Sequence, residues 1–122
     1  TDLPVFRNTL LMMVGDVIDF MTNSYLKSFL HRVINNGARR FSAPFFMNLD
    51  FDTKIKVLPK FKTFREASRS QHLPDQIIIG HHLIGQLYRD FPYLKARIDQ
   101  GAWQMPFNIP THNLFEQKYQ FG

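Results

Sequence analysis

The sequence contains no cysteine, which removes two classes of structure at once. Disulfide scaffolds are excluded, and so are metal sites built on thiolates. The absence also fits a reducing compartment, and a cytoplasmic location is the expectation. Long apolar runs are lacking too. Leu10-Leu11-Met12-Met13-Val14 is five residues, the size of a buried strand and far short of a membrane span. No signal-peptide pattern is visible. Thr1-Asp2-Leu3 has no initiator methionine and reads as an interior segment of a longer chain.

Acidic residues are in the minority, with 10 Asp and Glu against 15 Lys and Arg and a net charge of +5. Such a balance raises the question of nucleic acid. The basic residues are spread out, however, and the densest set is Lys54, Lys56, Lys60, Lys62 and Arg65. Lys54 and Lys56 alternate with Ile55 and Val57, the pattern of an edge strand whose lysines face water and discourage edge-to-edge pairing. Phe61 and Phe64 interleave with the charges, but no recognition motif accompanies them. Neither nucleic acid nor membrane is an expected partner.

What the chain does have is apolar material. Hydrophobic residues make up 44%, with 13 Phe, enough for a packed core in a single domain of 122 residues. Period and punctuation predict strands over residues 9–14, 17–21, 26–34, 40–47 and 54–57. Gly15-Asp16 and Thr22-Asn23-Ser24 read as turns between them. Asn35-Asn36-Gly37 reads as a hairpin turn, which makes the segments either side antiparallel neighbours. Pro44 implies an edge or bulge in the fourth strand. Residues 59–76 read as a polar loop. Residues 78–89 read as a helix with Leu83, Ile84, Leu87 and Tyr88 on one face, ended by Phe91-Pro92, and 93–98 as a further turn or two.

The densest functional signal lies at residues 31–46. His31 stands on one apolar segment, and Arg40 and Ser42 stand on the next. Histidine is a common metal ligand. The Arg40 guanidinium matches a carboxylate as a planar fork of donors. In a strand, Arg40, Ser42, Pro44 and Phe46 would share one face, with a carboxylate-binding end and an apolar end. Arg39 would point to the other face, as a surface arginine.

His31-Arg32-Val33 followed by Arg40-x-Ser42-x-Pro44-Phe45-Phe46 resembles the C-terminal half of iron(II)- and 2-oxoglutarate-dependent oxygenases, in their isopenicillin N synthase-like branch. Val14-Gly15-Asp16-Val17-Ile18 resembles that branch's Gly-Asp turn. Thr22-Asn23 and Tyr25-Leu26-Lys27-Ser28 resemble its approach to the distal iron histidine, and Asn48-Leu49-Asp50-Phe51-Asp52 its following segment. The resemblance is strong over residues 9–58, weaker over 76–95 and absent beyond about residue 100.

The resemblance implies a mainly β fold: the C-terminal part of a double-stranded β-helix, or jelly roll, followed by an α-helix and an extended tail. The division it suggests is 1–58 for that half of the core, 59–76 for a loop, 77–100 for a helical segment and 101–122 for the tail. It implies an Fe(II)/2-oxoglutarate-dependent dioxygenase that oxidises a small organic molecule with O2 by hydroxylation, desaturation or ring closure. His31 is the implied metal ligand, Arg40 and Ser42 the co-substrate clamp, and Phe46 a border of the substrate pocket. Outside the motif, His31 would read as a core histidine, Ser42 as a locally bonded sheet serine and Phe46 as plain core. Asn23 and Tyr25 read as structural.

One departure matters. The family's other two ligands come from an upstream His-x-Asp, and this chain contains neither His-x-Asp nor His-x-Glu. The expectation is that a missing N-terminal half of the same protein supplies them. Two alternatives follow: an oxidase of the isopenicillin N synthase type, in which Arg40 and Ser42 hold a substrate carboxylate instead of 2-oxoglutarate, or a non-catalytic β-rich interaction domain whose iron site is lost. His72, His81, His82 and His112 match no metal-site spacing, and the adjacent pair cannot face the same way on a helix. Trp103, Phe107, Phe115, Tyr119 and Phe121 make the tail a weak candidate for a specificity lid.

Overall fold

Extended backbone at Gly15 leads into Asp16 and Asp19, which stand in the first turn of a helix, where acidic groups complement the helix dipole. The chain accordingly turns helical at Asp16–Met21 (α1). This corrects the strand expected over residues 17–21. Val17, Phe20 and Met21 fall at helical spacing and all pack on the core, so a short segment with four apolar residues out of five meets the helical period.

The computed structural model describes residues 7–28, 31–34, 37, 39, 41–63 and 74–111. After α1 come a strand, Lys54–Lys56 (β1), a 3-10 turn, Pro59–Phe61, a second strand, Gln76–Ile78 (β2), and two helices, Ile79–Asp90 (α2) and Pro92–Asp99 (α3). β1 and β2 pair antiparallel with Ile55 opposite Ile77. The alternation expected at β1 is present: Ile55 is buried, and Lys54 and Lys56 face water. Ile55, Ile77, Ile79 and Phe20 form the buried cluster. Burying each contributes about 1.5–3 kcal/mol.

The helix expected over residues 78–89 is α2, and β2 runs straight into it. No side chain caps α2. Its first amides are satisfied by backbone instead: Ile79 N–H donates to the Thr53 carbonyl (3.0 Å) and Gly80 N–H to the Phe51 carbonyl (2.7 Å). Glycine is required at position 80, where a Cβ would overlap the Phe51 ring. Pro92 ends α2 and opens α3, holding Phe91 in the extended region that residues before proline favour. α3 closes with Gly101 at φ +72°, Gly101 N–H donating to Ile98 and Ala102 N–H to Arg97. These two bonds are the Schellman pattern. The segment 101–111 then crosses back over α2, with Phe107 stacked on His81 (3.7 Å between centroids) and Arg89 Nη1 donating to the Pro110 carbonyl (3.2 Å).

The mainly β jelly-roll half is not what the described residues show. They hold two three-residue strands and three helices. Residues 9–14, 26–28, 31–34 and 41–47 carry no strand. Asn35 and Asn36 of the predicted hairpin turn lie outside the described residues, as do residues 64–73 of the expected loop 59–76 and 112–122 of the expected tail 101–122. The physical reason is pairing. A strand is stable only when its row of amides and carbonyls has a partner and its apolar face is covered. Here Leu10 is 100% exposed, Phe41 104% and Phe46 82%, so the apolar segments that a sandwich would bury stand in water.

Candidate functional site

The best-built polar site among the described residues is a clasp between α1, the chain that follows it, and α2. Asp19 is 0% exposed, and a buried carboxylate is costly unless its oxygens are hydrogen-bonded. Ser24 Oγ donates to its Oδ1 (2.9 Å), and the Ser28 amide donates to its Oδ2 (2.7 Å). The first bond, with Ser24 N–H donating to the Asp19 carbonyl (2.8 Å), holds the left-handed pair Asn23 (φ 53°) and Ser24 (φ 65°). Such a backbone costs roughly 1–2 kcal/mol for a non-glycine residue. Ser28 Oγ donates to Asp16 Oδ1 (2.8 Å) and Gln86 Nε2 to Asp16 Oδ2 (2.8 Å), while His82 Nε2 lies 3.6 Å from the same oxygen. Two carboxylates one helical turn apart therefore hold Ser28 by its amide and its hydroxyl. The Asn23 side chain donates to the Phe61 carbonyl (3.0 Å), and Tyr25 packs on the Phe61 ring, so both residues are structural here.

The sequence-predicted site residues lie downstream of this clasp. His31 is exposed, on backbone without strand pairing, three residues beyond Ser28. Arg40 lies outside the described residues. Ser42 and Phe46 are exposed on an unpaired stretch. The pleated wall expected to align residues 40, 42, 44 and 46 is therefore not formed among the described residues, because no strand is present there to impose the alternation. An imidazole is chemically suited to iron, but it is one of the three donors such a centre needs. Among the described residues no three His, Asp or Glu side chains come together as a metal-binding group. Of the other histidines, His81 stacks on Phe107 and His82 faces Asp16. His72 and His112 lie outside the described residues.

Sequence reasoning missed Asp16, Asp19, Ser28 and Gln86 as a unit. A signal was present: two acids at i and i+3 directly after a glycine suit the first turn of a helix better than a strand. The pairing with Gln86, 70 residues away, had no local signal.

Elsewhere, Asp99 at the end of α3 accepts from the Lys95 ammonium and from the Tyr88 hydroxyl (2.7 Å). Lys95 and then Tyr88 hold its carboxyl below the ordinary value, and Asp99 and then Tyr88 hold the Lys95 ammonium above its own. This trio braces α2 against α3. Beside it, Tyr88, Ile98, Trp103, Met105, Phe107 and Ile109 line an open hollow of about 560 Å³, to which His31, Ser42 and Phe46 do not contribute. No helix among the described residues is long and apolar enough to cross a membrane.

Comparison with known proteins agrees with the motif. Residues 1–49 match the sequence profile of the 2OG-Fe(II) oxygenase superfamily. A homoarginine-6-hydroxylase of Glycine max is 30% identical over 89 residues, which cover 72% of this chain and 26% of that protein. A 1-aminocyclopropane-1-carboxylate oxidase of Dictyostelium discoideum is 32% identical over 107 residues, covering 78% of this chain and 29% of the relative. A 2-oxoglutarate-dependent dioxygenase of Talaromyces stipitatus is 33% identical over 75 residues, covering 62% and 22%. The chain thus spans about a quarter of the length of the curated relatives it matches. No solved structure gives a significant match. Over residues 1–49 the chain is thus similar to the 2OG-Fe(II) oxygenase superfamily.

Proposed function

We infer that this chain forms the co-substrate-binding part of a non-haem Fe(II)- and 2-oxoglutarate-dependent oxygenase that acts on a small organic molecule. The observation that carries the reading is His31-Arg32-Val33 with Arg40-x-Ser42, inside the segment that matches the superfamily. His31 offers one donor nitrogen. Arg40 binds the far carboxylate of 2-oxoglutarate through its guanidinium fork, and Ser42 adds a hydroxyl hydrogen bond. Phe46 borders the substrate. The family implies iron and O2 for the oxidation itself. One donor does not make an iron site, so the other ligands belong to residues outside this chain. The exposed side chains of Leu10, Met12, Phe41, Phe45 and Met47 support the same view, since a completed jelly roll would cover them.

The test is 2-oxoglutarate binding by the full-length protein with Fe(II), wild type against Arg40→Ala. Removing the fork from a desolvated carboxylate costs at least about 2 kcal/mol, or roughly a 30-fold loss of affinity. Unchanged affinity in Arg40→Ala would sink the assignment. A second reading is favoured by the relatives whose names give an oxidase of a carboxylate-bearing compound. In it, Arg40 and Ser42 hold a substrate carboxylate, and turnover forms no succinate.

A further inference from the structure

We propose that Asp16 and Asp19 are positioning residues that set where the backbone enters the His31 segment. The proposal rests on the reading of His31 as a metal ligand. It starts from a cost. A leucine at position 19 would fill buried space without the penalty of a desolvated carboxylate. What the carboxylate adds is direction. One oxygen holds the Ser24 turn, and the other takes the Ser28 amide at 2.7 Å, a charge-assisted bond. Asp16 takes the hydroxyl of the same serine at 2.8 Å and is itself held by Gln86 of α2 at 2.8 Å. Ser28 is therefore fixed by backbone and side chain together, from one helix that is anchored to a second.

The reach of chain beyond this anchor is short. Three residues of extended chain span at most roughly 10 Å, so fixing Ser28 confines the His31 Cα to a small volume. The described residues 31–34 do not pair as a strand, and the clasp lies directly upstream of them. The clasp does not touch the metal. It acts through His31, as outer-shell groups act on a ligand.

The experiment uses the full-length protein as wild type, Asp19→Asn, Ser28→Ala, Asp16→Asn and Asp16→Glu. Amide hydrogen exchange reads Ser28, backbone chemical shifts read residues 31–34, and Co(II) absorption and affinity read the metal site, with His31→Ala as reference. Asp19→Asn is expected to lower Ser28 protection roughly 10- to 100-fold. It is also expected to shift the resonances of residues 31–34 and to weaken Co(II) roughly 10- to 100-fold, the range seen when outer-shell partners are lost. Asp16→Glu, which keeps the acceptors, should retain more Co(II) affinity than Asp16→Asn. Gly85→Ala, whose added Cβ meets Pro110 and Arg89 and no clasp residue, should leave the Co(II) spectrum unchanged even though it destabilises the fold, which separates positioning from general stability. Where Asp19→Asn does not fold, Ser28→Ala carries the test through the Asp16 arm, since it removes the hydroxyl that donates to Asp16. Unchanged Ser28 protection, or loosened Ser28 with unmoved residues 31–34 and an unmoved Co(II) spectrum, overturns the proposal. A Co(II) spectrum indifferent to His31→Ala overturns the ligand reading instead, and the exchange and shift arms then still decide whether the clasp directs the segment.

Discussion

Gly85→Ala sets two effects of opposite sign against each other. Alanine in a helix interior is worth about 1 kcal/mol more than glycine, so propensity alone predicts a gain. Packing predicts a loss. A Cβ at position 85 would sit 2.7 Å from the Pro110 carbonyl oxygen, 3.3 Å from the Pro110 side chain and 3.4 Å from Arg89 Nη1. The nearest atom is backbone, and it already accepts from Arg89, so relief requires moving the 101–111 segment off α2. Overpacking of this kind costs typically about 1–3 kcal/mol. Weakening the bond from a guanidinium to a half-buried carbonyl adds about 1 kcal/mol more. The net expectation is destabilisation by about 1–3 kcal/mol. The assay is equilibrium urea unfolding of the full-length protein, read as a lower midpoint at unchanged slope. Arg89→Met should lower the midpoint too, and the double variant should fall short of the sum, because both changes loosen the same carbonyl. A rise of about 1 kcal/mol in Gly85→Ala would refute the reasoning, since it would mean that α2 carries no segment at Gly85.

Two further outcomes follow from the packing and charge around α1 and α3. Phe20 is 1% exposed at the centre of the cluster, and Phe20→Ala should cost about 3–5 kcal/mol in the same unfolding experiment. Asp99 has its carboxyl depressed by Lys95 and Tyr88, so its share of stability is present above the ordinary carboxylate value near 3.8 and is lost as pH falls through the lower folded value. Lys95 is raised, so its share is present below the ordinary value near 10.5 and is lost as pH rises through the higher folded value. The difference in Tm between wild type and Asp99→Asn should therefore be flat across neutral pH and vanish in strong acid. A difference that grew on acidification would contradict the sign.

How much could be read in advance depends on the range over which each feature is decided. α2 was legible because twelve residues of amphipathic pattern end at a proline, and both signals are local. β1 was legible because Lys54, Ile55 and Lys56 alternate. The strand expected at 17–21 fails for a local reason: a short, mostly apolar segment does not separate the two periods by itself, and the acids Asp16 and Asp19 in the first turn favour the helix. β2 was hidden because Gln76-Ile77-Ile78 flows without punctuation into a helix, so that Gln76 reads as the end of the loop and the isoleucines as part of the helical segment.

The candidate site divides along the same line. His31, Arg40 and Ser42 were visible as a motif because side-chain chemistry is written in residue identity, and the superfamily match falls on the same stretch. The wall that would align them was not, because alternation places residues on one face only after a ladder exists, and a ladder belongs to two strands. The clasp shows the converse. Asp16 and Ser28 fall in two separate resembling segments and Gln86 in none, and nothing in those residue identities says that the three bond to one another. A ligand histidine is recognisable from its neighbours in sequence. In the proposed reading, the placement of His31 follows from the carboxylates, amide and hydroxyl that fix Ser28 just before it, and these contacts become readable only once α1 and α2 are packed together.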